Sequence, residues 1–150
     1  MVDMNRKIMM LGFLGVLVIG AVLTRGCVHT EKLETQPRTI ESITPEEAYA
    51  LIQKNKDNPN FVILDVRTPE EFANEHIENA INLDYYSETF RDDLSKLDKN
   101  KTYLIYCRSG HRSENSLNIM KELNFREVYN MLGGIIRWKA EGLPIRASQD

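Results

Sequence analysis

Two short runs, Phe61-Val62-Ile63-Leu64 and Thr102-Tyr103-Leu104-Ile105-Tyr106, are apolar almost without a break, and they constrain the fold more than any other feature of the 150-residue chain. A strand with one wet face alternates apolar and polar residues. An unbroken run calls for burial on both faces, as in a parallel sheet covered by helices on each side. Helix starts lie around these runs. In Thr44-Pro45-Glu46-Glu47 and again in Thr68-Pro69-Glu70-Glu71, threonine caps, proline suits the first turn, and glutamate three residues after the cap closes a capping box. Ala48, Leu51 and Ile52 then give the first helix an apolar face.

Ala80 to Leu83 reads as a further short strand, and Ser87 as the cap of a helix carrying Phe90, Leu94 and Leu97 on one side. Ser113 to Leu123 is predicted helical, Glu127 to Tyr129 extended, and Gly133-Gly134 opens a last segment containing Ile135, Trp138 and Leu143. The alternation predicts one α/β domain over residues 39–147, a mainly parallel sheet with helices on both faces, ending in a short tail at 148–150.

The N-terminus has a different character. Arg6 and Lys7 precede an apolar stretch from Ile8 to Leu23, 16 residues long, between the length of an export signal and that of a spanning helix. Residues 1–26 are therefore expected to be a signal or membrane anchor, and residues 27–38 a polar linker. With Arg6 and Lys7 on the inner side, the domain is expected on the outer face of a prokaryotic cell membrane. Leu23-Thr24-Arg25-Gly26-Cys27 resembles a bacterial lipobox, but Thr24 and Arg25 depart from its aliphatic and small positions. Three fates stay open: an uncleaved single-pass anchor, which the departures favour, lipidation at Cys27, or cleavage and release.

The chain carries 19 Lys and Arg against 22 Asp and Glu, and three of those basic residues lie in the N-terminal segment, leaving a domain more acidic than the formal net charge of −3. Basic and acidic residues alternate with no basic run, so nucleic acid is not an expected partner. Cys27 and Cys107 are the only cysteines, and His29, His76 and His111 have no metal-ligand spacing. No metal and no cofactor are expected.

Cys107 stands at the end of a predicted strand, before Arg108-Ser109-Gly110-His111-Arg112 and the helix starting near Ser113. Ligands of open parallel sheets bind beyond the carboxyl ends of strands. The free N–H groups of a tight loop and a helix start make a cradle for negative charge. Such a cradle and nearby cations lower a thiol pKa from about 8.5 and raise the nucleophilic thiolate fraction. Arg108 and Arg112 are available cations, able also to hold an oxyanion such as the sulfonate end of thiosulfate. Gly110 lets the backbone turn. His111 is open to two roles, a substrate contact or an exposed loop residue.

Cys107-Arg108-Ser109-Gly110-His111-Arg112 resembles the active-site loop of rhodanese-like sulfurtransferases. Leu64-Asp65-Val66-Arg67, Glu71-Phe72, His76-Ile77 and Ala80-Ile81-Asn82 resemble the segment before that family's catalytic strand. Gly133-Gly134-Ile135, Trp138 and Gly142-Leu143-Pro144 resemble its C-terminal motif. Glu75 and Asn79 stand where the family usually has glycine. The resemblance implies that Cys107 is the catalytic nucleophile, with Arg108, Ser109, Gly110, His111 and Arg112 binding substrate. Asp65 and Arg67 are implied as a supporting ion pair, His76 as a turn residue and Trp138 as a core aromatic. The partners implied are small sulfur-containing anions and a thiol, protein or cyanide acceptor.

Two rivals belong to other classes. A phosphatase or arsenate reductase of the related fold has five residues between cysteine and arginine. Here four separate Cys107 from Arg112, a smaller cradle better sized for sulfur than for a phosphoryl group. The other rival is a non-enzymatic module that binds a partner or carries sulfur without turnover.

Overall fold

The computed structural model describes residues 37–147. The expectations for the apolar run, for Cys27 and for the C-terminal tail lie outside the described residues. Among the described residues no helix is long and apolar enough to cross a membrane. In chain order the elements are β1 (Thr39–Ile43), α1 (Pro45–Lys54), β2 (Phe61–Asp65), α2 (Pro69–Asn74), β3 (Glu75–His76) and β4 (Ile81–Asn82). They continue with α3 (Phe90–Ser95), β5 (Thr102–Tyr106), α4 (His111–Glu122), β6 (Glu127–Met131), α5 (Gly134–Ala140) and β7 (Arg146–Ala147).

The main sheet is parallel throughout, in the order β1-β6-β5-β2-β4, while β3 and β7 pair antiparallel beside it. Both predicted apolar runs lie inside it, β5 in the middle and β2 next to it. Side chains alternate across each strand, so one run feeds two cores. Leu64, Val66, Tyr103, Ile105 and Cys107 pack on one side with Phe90 and Leu94 of α3 and Leu117 and Met120 of α4. Ile63, Leu104 and Tyr106 pack on the other with Ala48 of α1 and Ile135 and Trp138 of α5.

Local signals place the helices. Thr44 and Thr68 both cap with reciprocal Glu47 and Glu71 bonds, each cap contributing about 1 kcal/mol. Ser113, Ser116, Leu117 and Met120, at helical spacing, form the buried face of α4. The cap expected at Ser87 is not found: α3 starts after Thr89, and Ser87 begins the preceding turn, its N–H bonding to Asp84 O at 3.1 Å and its carbonyl accepting from Phe90. The strand expected over Ala80–Leu83 shortens to Ile81–Asn82, because only these residues register with Leu64 and Asp65.

Candidate active site

β5 delivers Cys107 to the carboxyl edge of the sheet, buried at 1% exposure. The chain then turns so tightly that α4 begins at His111, two residues before the expected start, placing His111 and Arg112 in its first turn. Gly110 makes this turn at φ +103°, a conformation side chains rarely adopt, and an added Cβ would press on Gly133 N at 3.2 Å. In that geometry the Gly110 N–H donates to Cys107 Sγ at 3.1 Å.

The far side of the loop is fixed by α5. Ile135 N–H donates to the Cys107 carbonyl at 2.9 Å and Ile136 N–H to the Arg108 carbonyl at 3.1 Å. Gly134 is required for this approach, since an added Cβ would lie 2.4 Å from Cys107 O and 2.5 Å from Arg108 O. With its first carbonyls drawn toward α5, the loop leaves its N–H groups to face the sulfur. Burial pushes the Cys107 thiol up, but the Ser113 hydroxyl and the N–H groups of Ser113, Gly110 and Ser109 outweigh it, and the pKa falls below the ordinary thiol value. The lowering expected from Arg108 and Arg112 thus comes chiefly from a hydroxyl and backbone dipoles.

The two arginines differ. Arg108 and Ser109 are exposed, and Arg108 borders a cleft of about 400 Å³ that Arg67, Glu71, Ile135 and Ile136 also line. Arg112 is engaged: its Nη1 and Nη2 donate to Glu71 Oε2 and Oε1 at 2.7 and 2.9 Å, and its guanidinium lies 5.4 Å from the Tyr86 ring centre. The Arg112 bond holds the Glu71 carboxyl down at about 2, despite partial burial. Glu71 in turn, ahead of the more distant charge on Cys107, raises the Arg112 pKa. His111 is exposed.

Beneath the loop, Asp65 and Arg67 form a pair at 0% and 3% exposure, with Arg67 Nη2 2.6 Å from Asp65 Oδ2. Arg67 also donates to the Glu75 carbonyl, and Asn82 Nδ2 donates to the carbonyls of Asp65 and Arg67. Burial opposes the Arg67 charge, yet the Asp65 bonds outweigh it and raise its pKa. The network ties the ends of β2 and β4 to the start of β3. His76 stacks on Phe72 and bonds its carbonyl at 2.8 Å, and the buried Trp138 donates to Pro144 O at 2.9 Å. The two departures from glycine are both accommodated. Asn79 takes the left-handed conformation at φ +63°, and Glu75 is extended at φ −161°, where no glycine is needed.

Ser113, Glu71, Tyr86 and Gly134 join the site without having been marked for it by the sequence. Glu71 and Gly134 stood in the segments that resemble the family and Ser113 at the expected helix start, whereas Tyr86 left no signal. Among the described residues no group of three or more His, Cys, Asp or Glu is placed to hold a metal.

Residues 44–141, which hold this cysteine loop, the buried Asp-Arg pair and the Gly-Gly helix start, match the family model of the rhodanese-like domain. The chain belongs to the rhodanese-like domain family. This rhodanese-like domain is 34% identical over 103 residues to a sulfurtransferase of Allochromatium vinosum, covering 69% of this chain and 94% of that protein. It is 35% identical over 100 residues to the thiosulfate sulfurtransferase GlpE of Coxiella burnetii, covering 67% of this chain and 88% of the relative. The crystal structure of a rhodanese-related protein from Thermoplasma volcanium superimposes with a TM-score of 0.61 at 28% identity, over 71% of this chain and 97% of that one.

Proposed function

We propose that this rhodanese-like protein is a sulfurtransferase that moves sulfane sulfur from thiosulfate or a persulfide donor to a thiol, protein or cyanide acceptor through a persulfide on Cys107. The observation that carries the reading is the contact of Cys107 Sγ with the Gly110 N–H at 3.1 Å inside the ring of loop amides. The thiolate attacks the sulfane sulfur, the Sγ–S bond forms, and the donor bond breaks with its electron pair leaving on sulfite or a thiolate. The acceptor then attacks the outer sulfur and releases Cys107 as thiolate. The loop amides and Arg108 stabilise the anionic sulfur, which the low-dielectric pocket strengthens. Cys107 is the only cysteine among the described residues, so the reading assigns the second attack to an external acceptor.

The names of the Allochromatium and Coxiella relatives support sulfur transfer in general. The loop is one residue shorter than that of a phosphatase, and Ser113 stands where the phosphatase loop has its arginine, which speaks against phosphoryl transfer. The test is intact mass after incubation with thiosulfate or polysulfide. Wild type gains one sulfur atom and Cys107→Ser gains none; equal labelling of both defeats the proposal. The N-terminal segment is part of the proposal: the run Ile8–Leu23 behind Arg6 and Lys7 supports a membrane-tethered domain on the outer face. Membrane fractionation tests it, and a diacylated N-terminal Cys27 would replace the uncleaved anchor with a lipid one.

A further inference from the structure

Glu71 does more than cap α2. Its Oε2 accepts from the Thr68 N–H at 3.2 Å and from Arg112 Nη1 at 2.7 Å, while Oε1 accepts from Arg112 Nη2 at 2.9 Å. Each bond restrains the others, because the carboxylate is anchored to the first turn of α2 and the guanidinium to the first turn of α4. On a second side the guanidinium is covered by the Tyr86 ring. Arg112 therefore stands beside the nucleophile with its fork already filled by a fixed carboxylate, and that carboxylate also lines the cleft bordered by Arg108.

Sulfur donors differ in how much they need that cation. Thiosulfate arrives as a dianion and leaves as sulfite, so two negative charges must be held beside the loop while the sulfur moves to Cys107. An organic persulfide, RSSH, gives its outer sulfur and the proton on it to the Cys107 thiolate and leaves as RS⁻, with one charge to stabilise. A fixed negative charge next to Arg112 opposes the first more than the second, and partial burial limits its screening.

We propose that Glu71 is a specificity-determining residue which, by occupying Arg112, turns the site away from thiosulfate and toward persulfide donors. The inference rests on the sulfurtransferase reading above and narrows its donor class.

Single-turnover loading of Cys107 in the full chain, followed by intact mass, tests it with thiosulfate and the persulfide of 2-mercaptoethanol, which carries no charge besides that of its persulfide group, as probes. Wild type loads faster from the persulfide. Glu71→Gln keeps a capping-box residue at the same helix position and raises the second-order loading rate from thiosulfate about tenfold more than that from the persulfide, equivalent to about 1.4 kcal/mol. Glu122→Gln, whose carboxylate pairs with Arg91 at 2.8 Å rather than with Arg112, alters neither rate. Should Glu71→Gln fail to fold, wild type alone decides, because its preference for the persulfide must shrink as ionic strength rises. A wild type that prefers thiosulfate, an unchanged donor ratio in Glu71→Gln, or a salt-independent preference overturns the inference while leaving sulfur transfer standing. Loading by neither donor removes the sulfurtransferase reading, and the inference with it.

Discussion

The Ile135 N–H donates to the Cys107 carbonyl at 2.9 Å, so the last helix of the domain holds the backbone of the nucleophile. Gly134 makes that contact possible, because a Cβ there would lie 2.4 Å from the same carbonyl. Gly134→Ala must therefore separate α5 from the loop. A left-handed alanine costs about 1–2 kcal/mol, and the clash about 1–3 kcal/mol more. Urea unfolding should show a loss in that combined range, together with slower alkylation of Cys107. Unchanged stability and alkylation would mean that α5 does not brace the loop.

The thiol itself offers a second prediction. One Ser113 hydroxyl proton serves either the Gly110 carbonyl, 3.0 Å away, or the Cys107 sulfur. When the thiolate forms, the charged acceptor is the stronger one. The iodoacetamide reaction of wild type should thus titrate below the free thiol value of about 8.5, and Ser113→Ala should move the midpoint upward. A thiol lowered in the folded state adds stability that is complete above the unfolded pKa and fades as pH falls through the folded one. Wild type should accordingly gain stability over Cys107→Ser between neutral pH and pH about 9; a flat difference counts against the lowered thiol.

What could be read in the sequence follows from where each element sits. β2 and β5 were legible because helices cover both faces and leave no room for polar alternation. β1 was not: it is an edge strand paired only with β6, with Glu41 and Ser42 exposed, so Thr39–Ile43 carries no continuous apolar run. The start of α4 was read two residues late because the left-handed Gly110, rather than a side-chain cap, begins it. Cys107 and its loop were visible because six consecutive residues form the cradle. Glu71 showed its local role as a capping residue and its place in the family-like segment, but not its contact with Arg112, which spans 41 residues of chain.

The Asp65-Arg67 pair is expected to support the site through stability. Arg67→Met leaves the buried Asp65 carboxylate without its cation and should cost about 3–5 kcal/mol. The double variant Asp65→Leu with Arg67→Met removes both charges and should recover part of that loss, as measured by urea unfolding midpoints at constant slope. If the double variant is less stable by the sum of the single losses, the two residues do not act as a pair.

Glu71 gives the pH dependence its sign in acid. Its carboxyl is held at about 2 by Arg112, against an ordinary value of 4.5. A carboxylate lowered in the folded state adds stability that is complete above the unfolded pKa and is lost as pH falls through the folded one. Wild type should therefore lose stability relative to Glu71→Gln as pH drops from about 5 to about 2, while above pH about 5 the difference between them is constant. High salt narrows that difference only in part, because Arg112 is 12% exposed and Glu71 28% exposed. Thermal melts of the two proteins across this range check it. Parallel curves down to pH about 2 would show that the carboxylate is not held by Arg112 in solution, and the α2–α4 link would then be absent from the folded protein.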